Sequence, residues 1–224
     1  MTPNDRDAST PVIQTPQVAI PKLSALCSFG MTQLIMTGAL KQILQQHFVD
    51  PDHMVHPSLR DSLRRESQRA SDTPLVCVES LSRWRPELTG TRPGVVIKAG
   101  TWNYMRMGIG DSAGVDLRSG RRDFWGLWEG SHTLFALGNE GAETQILAAE
   151  VAKLMLWCGS LLSDQLNLQR FLITSIGELS ALAESPEQYV VPVVLGYLAP
   201  EAWSQQSDAP RLKRIVFDAN TILS

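Results

Sequence analysis

Phe124-Trp-Gly-Leu-Trp-Glu-Gly-Ser-His-Thr-Leu-Phe-Ala-Leu137 is the stretch on which the fold turns. It is long and aromatic with no helical period, so it reads as a strand, and Gly126 and Gly130 inside it read as bulges or bends. Gly138-Asn-Glu-Gly141 then leads into a helix over about 142–162, with Asn139 as cap and Glu140 and Glu143 at its positive end. Leu147, Val151, Leu154, Met155, Cys158, Leu161 and Leu162 form one apolar stripe along that helix. Two strands follow, over 171–182 and 188–197, joined by the turn Glu184-Ser-Pro-Glu187. Pro192 in the last strand cannot donate to a ladder, which places that strand at an edge or requires a bulge.

Upstream of Phe124, Leu75–Val78, Gly94–Lys98 and Thr101–Ile109 are short runs bounded by Pro and Gly, read as three strands of a meander. The Gly-rich polar segment 108–123 then reads as a long mobile hairpin loop. Leu34, Ile35, Ala39, Ile43, Leu44 and Phe48 have amphipathic spacing and predict a helix over about 29–48, closed by Asp50-Pro51. Gly38 inside that helix suggests close packing. Arg60, Arg64, Arg65 and Arg69, with Arg83 further on and Asp61, Glu66 and Asp72 interspersed, predict a solvated helix or loop, the alternative being a phosphate-facing stripe. The expected fold class is α+β: an antiparallel sheet with hairpin extensions packed against two helices. Residues 1–28 read as an extended proline-rich arm, 29–203 as a single domain, and 204–224 as a C-terminal extension.

Hydrophobic residues make up 43% and charged residues 19% of the 224, the balance of a folded soluble chain. A net charge of -3 gives no overall attraction for phosphate. No uninterrupted apolar run suggests a membrane helix, and the opening residues lack the basic and apolar regions of a secretory signal, so a cytosolic site of synthesis and folding is expected. Cys27, Cys77 and Cys158 are odd in number and far apart, which predicts buried thiols without disulfides.

Reactive constellations are sparse. His53-x-x-His56, with His47, Asp50 and Asp52 near, is broken by Pro51 and Pro57, so surface histidines are expected there and no metal site. Gly108-x-Gly110-x-x-x-Gly114 has the wrong spacing for a dinucleotide loop, and neither a Walker lysine nor a nucleophile elbow is present. His132 on the aromatic strand reads as a half-buried structural residue, and Glu184 and Glu187 as solvated turn carboxylates. No cofactor is expected, and the chain reads as a non-enzyme. Arg118, Arg121 and Arg122 at the tip of the Gly-rich loop are exposed whatever the fold, either as solubilising charges or as contacts to an acidic neighbour or to DNA.

The order of elements, with Gly130-Ser-His-Thr133, Gly141-Ala-Glu143 and Glu187-Gln-Tyr-Val-Val-Pro-Val193, resembles the tail terminator proteins of long-tailed bacteriophages. That resemblance spans about Phe29 to Trp203. It implies a virion protein that forms a ring, a hexamer, at the head-proximal end of the tail, ending tail-tube polymerisation and joining the tail to the head–neck connector. Implied partners are further copies of the chain, the tail tube and sheath, connector proteins and, non-specifically, DNA in the channel, but no membrane. Arg118, Arg121 and Arg122 would then face the lumen or the next ring, and Trp125, Trp128, Pro192 and Tyr197 would meet neighbouring subunits. The arm, the Arg-rich insert and the C-terminal tail depart from a compact terminator. Alternatives are a stopper or head-completion protein, a small hydrolase or nucleotide-binding enzyme using His132, Glu143 or the Gly108 loop, and a monomeric binding module.

Overall fold

A computed structural model describes residues 32–67, 75–89, 93–106, 112–116, 120–182 and 185–205. The arm 1–28, residues 108–111 and 117–119 of the Gly-rich segment (Arg118 among them) and the extension past 205 lie outside the described residues. Among the described residues four α-helices, α1 (Thr32–His47), α2 (Pro57–Ser67), α3 (Pro86–Thr89) and α4 (Gly141–Leu166), accompany seven strands. The strands are β1 (Cys77–Ser80), β2 (Gly94–Met105), β3 (Ser112–Val115), β4 (Arg122–Gly138), β5 (Arg170–Ile176), β6 (Ser180–Leu182) and β7 (Ser185–Gln205). They form one sheet in the order β1-β2-β4-β7-β5, with β3 on β4 and β6 on β7. The fold is α+β, a sheet packed against helices.

Several sequence expectations change in detail. The sheet is mixed, because β1 runs parallel to β2, Cys77 opposite Gly94. Residues 94–98 and 101–105 are one strand, interrupted by a bulge between Ala99 and Trp102. Ser131 Oγ accepts from the Thr101 amide at that point (3.1 Å), so the chain shifts register there without turning. The segment 108–123 is not all loop, since β3 pairs Ser112 with Phe124 and Val115 with Arg122.

Of the two places expected for Pro192, an edge or an irregularity, it takes the second: the strand is interior, but its pairing is interrupted there. β7 has β4 on one side, with Phe135 opposite Pro192, and β5 and β6 on the other. The Pro192 carbonyl accepts from Gly177 N (2.7 Å), on the side where β5 has ended and β6 has not begun. A residue's amide and carbonyl share one side of a strand, so the missing N–H falls in that gap. A Cβ on Gly177 would come within 2.5 Å of Pro192 Cγ, so glycine is what lets the ring in.

The main core lies where α1, α2 and α4 cover one face of the sheet. Met36, Leu40 and Leu44 of α1, Leu59 and Leu63 of α2, and Leu147, Val151 and Met155 of α4 meet Val95, Ile97, Leu134, Val193 and Leu195. α2 is thus a packed helix with an arginine-bearing outer face, not a purely solvated one. α4 is by length and composition apolar enough to cross a membrane, at mean hydropathy 1.5 over a window that is 44% buried. Here its apolar surface is divided, and Leu161, expected in the buried stripe, is 48% exposed beside Leu156 and Trp157. Asn167 ends α4 in the left-handed region (φ 51). A smaller cluster of Trp84, Val96, Leu137 and Val190 packs on the opposite face.

Candidate functional site

The long central strands outrun the helices. β4 (17 residues) and β7 (21 residues) pair continuously from Gly138 opposite Tyr189 to Arg122 opposite Gln205. Their last residues packed on the main core are Trp128 and Ala199, which stand opposite each other, so the ends beyond them, with β3 and the end of β2, extend past it as a blade. Successive residues of a strand face opposite sides, which aligns Phe124, Trp128 and Gly130 with Trp102, Tyr104, Tyr197 and Trp203 on one face. Trp102 stacks on Trp128 (5.3 Å, 9° between planes), Tyr104 tilts against Trp128 (5.0 Å), and Phe124 stacks on Trp203 (5.5 Å).

Two glycines make this packing possible. A Cβ on Gly130 would lie 2.5 Å from both the Trp102 and Tyr197 rings, and one on Gly126 would overlap Tyr104. Gly126 marks no bulge, whereas Gly130 borders one, since it pairs with Trp102 where the β2–β4 register shifts. They are places where rings cross the backbone. Trp128 Nε1 donates to the Glu201 carboxylate. Burial pushes the Glu201 carboxyl above the usual range, and the Trp128 hydrogen bond works against that shift.

At the root of the blade, His132 is 0% exposed, deeper than the half-buried position expected. Tyr197 Oη meets its Nδ1 (3.1 Å) and Thr37 Oγ1 its Nε2 (2.8 Å). The Thr37 hydroxyl donates to the Gln33 carbonyl (3.0 Å), which leaves its oxygen to accept from Nε2–H and the Tyr197 hydroxyl to donate to Nδ1. One neutral tautomer therefore satisfies the whole chain. Burial lowers the His132 pKa from 6.5 to about 4, only partly opposed by a backbone hydrogen bond at Gln33, and burial raises that of Tyr197.

A second buried polar centre joins the helices. Glu150 (3% exposed) and His47 (8% exposed) meet at 3.0 Å, and the Glu150 carboxylate also accepts from Val55 N (2.9 Å) and His56 N (3.3 Å). His47 is therefore not a surface histidine, whereas His53 is, with its side chain 58% exposed. This pair was missed in the sequence reading. The available signal was a lone carboxylate in Ala148-Ala-Glu-Val-Ala152, a run otherwise fit for a core. Among the described residues, no three His, Cys, Asp or Glu side chains are grouped to hold a metal ion.

The other residues singled out by sequence disperse. Tyr197 is 2% exposed inside its own subunit, so it has no surface to give a neighbour. Trp125, Trp128 and Pro192 are partly buried, and Trp128 faces its own aromatic stack. Arg121 and Arg122 are exposed at the β3–β4 hairpin, with Arg121 Nε 2.7 Å from Asp123. A cleft of about 480 Å³ lies between α4 and the β5–β6 break, lined by Gln145, Ala149, Ile176 and Glu178 among others. No protein-family model matches the chain. No curated protein sequence matches it either.

Proposed function

We propose that this chain is a structural assembly subunit: a ring-forming virion protein at the neck of a phage tail, of the tail-terminator kind. The observation that carries the reading is the blade. A two-strand pair of this length, with Trp203 (37%) exposed on β7 and Met105 (41%) and Val115 (48%) exposed at the ends of the flanking β2 and β3, is surface that a partner can bury. Trp203, stacked on Phe124, is held rigid and loses little side-chain freedom on contact, which suits a docking element. The reading is also supported by the α+β frame, in which one end is tightly packed and the other reaches outward. In a closed ring each subunit offers two different patches, and a projecting blade supplies one of them.

Within this proposal the ring ends tail-tube growth and presents a surface to the head–neck connector. Arg122 and the paired Arg121, with Arg118, contact phosphate in the channel without reading sequence. The test is negative-stain imaging and solution mass of the full chain, alone and with a tail-tube protein encoded beside it. Rings of about six copies are expected, the number implied by a six-fold tail. A chain that forms no ring in either setting overturns the reading.

A further inference from the structure

β5 is the last described strand of the sheet and pairs only with β7, so its outer backbone groups have no strand partner among the described residues. A row of alternating backbone donors and acceptors is matched by another extended polypeptide, not by a nucleic acid or a small molecule. Edge strands are often blunted with a central lysine or proline, and Arg170-Phe-Leu-Ile-Thr-Ser-Ile176 has neither. α4 lies alongside this edge, with Gly159 against Phe171, and carries Leu156 (67% exposed) and Trp157 (56%) on its uncovered surface. Ile176 at the end of β5 is 53% exposed.

Charge decides which extended chain fits. Arg170 begins the edge and Glu178 follows its end, both are exposed, and neither has an ion-pair partner among the described residues. In an extended chain they stand about 26 Å apart, too far to meet each other. A second β5 laid antiparallel brings each arginine to the other copy's glutamate, whereas a parallel copy brings like charges together. The midpoint of 170 and 178 is Thr174, where β5 bulges against β7 between Ile173 and Ser175. A two-fold axis there leaves residues 170–173 to pair with 175–178 of the other copy, so the irregular residue of each strand lies on the axis opposite its own copy.

We propose that the β5 edge is a self-pairing surface joining two copies of this chain about a two-fold axis, with Arg170 beside Glu178 of the partner subunit. The contact closes at two copies, so it is independent of the head-to-tail contacts of a ring and stands or falls separately. Leu156, Trp157 and Ile176 flank the seam, and Lys153 lies over the Trp157 ring (5.2 Å).

The test is light scattering on the full chain over a concentration series, with circular dichroism as the check on folding. Pairing is expected, as a dimer of free chains or as twice the copy number wherever rings form, and Arg170→Glu or Glu178→Arg alone weakens it about tenfold, because the symmetry repeats each repulsion twice. The double variant Arg170→Glu/Glu178→Arg restores the wild-type dissociation constant, which an intramolecular role could not do at this separation. A wild-type chain that stays monomeric, a dimer indifferent to the single reversals, or a double variant as weak as the singles each overturns the proposal. None of these outcomes bears on ring formation with a tail tube.

Discussion

At the scale of single residues, two buried polar groups dominate. His132 is neutral in the folded chain with its pKa lowered to about 4, against 6.5 when exposed. Between those values the unfolded chain binds the extra proton, so stability is fully present above about pH 7 and declines as pH falls toward 4. The expected loss is on the order of 3 kcal/mol, measured as the shift of the urea midpoint and absent from a His132→Phe variant. An imidazole resonance that stays in its neutral position down to pH 5 is the direct check, and one that titrates near 6.5 contradicts the buried tautomer. Glu150 is the shared partner of three groups. Glu150→Ala leaves His47 and the amides of Val55 and His56 without their acceptor and is expected to cost about 3–5 kcal/mol. For a chain of this size that is a fall of roughly 10 °C in Tm by differential scanning calorimetry. An unchanged Tm would mean that water or a rearranged loop supplies the acceptor.

At the scale of elements, glycine has opposite meanings on β4 and on α1. On β4, Gly130→Ala drives a methyl group into the rings of Trp102 and Tyr197 and is expected to destabilise by about 1–3 kcal/mol in chemical denaturation. Gly38 on α1 was read as a close-packing site, but nothing lies within 4 Å of a Cβ built there. Gly38→Ala is therefore expected to stabilise by about 0.5–1 kcal/mol, through helix propensity alone. The opposite sign at either position would relocate the close contact. Pro192 makes a similar point. Its ring is compatible with an interior strand only because β5 stops at Ile176 and Gly177 leaves room, a coincidence of three segments.

For the whole molecule, the proposals concern what lies beyond one copy. If the blade and the β5 edge bind other chains, Tm rises with protein concentration, because association stabilises the folded state by mass action. A Tm that is flat over a wide concentration range would leave the exposed apolar residues of β2, β7 and α4 without a partner of their own kind. Arg121 and Arg122 bear on a further outcome: replacing them by Glu together with Arg118 is expected to leave the fold intact and to reduce DNA retention in assembled particles. Their exposed position at the hairpin explains the first part, since substitutions there break no packing.

Element type and order were legible along the chain, because the 3.6-residue stripe of α4 and the aromatic run of β4 are local periodicities that a single segment expresses. The α+β class follows from them. Strand order was not legible: the parallel β1–β2 pair, the interior place of Pro192 and the union of two predicted strands into β2 depend on which backbones lie side by side. Nor could the sequence distinguish an aromatic residue turned inward from one turned out, as the burial of Tyr197 shows. Local pattern says what a segment can hide. Only the packed tertiary structure decides what hides it, because burial belongs to pairs of surfaces that are distant in sequence, as Thr37, His132 and Tyr197 are.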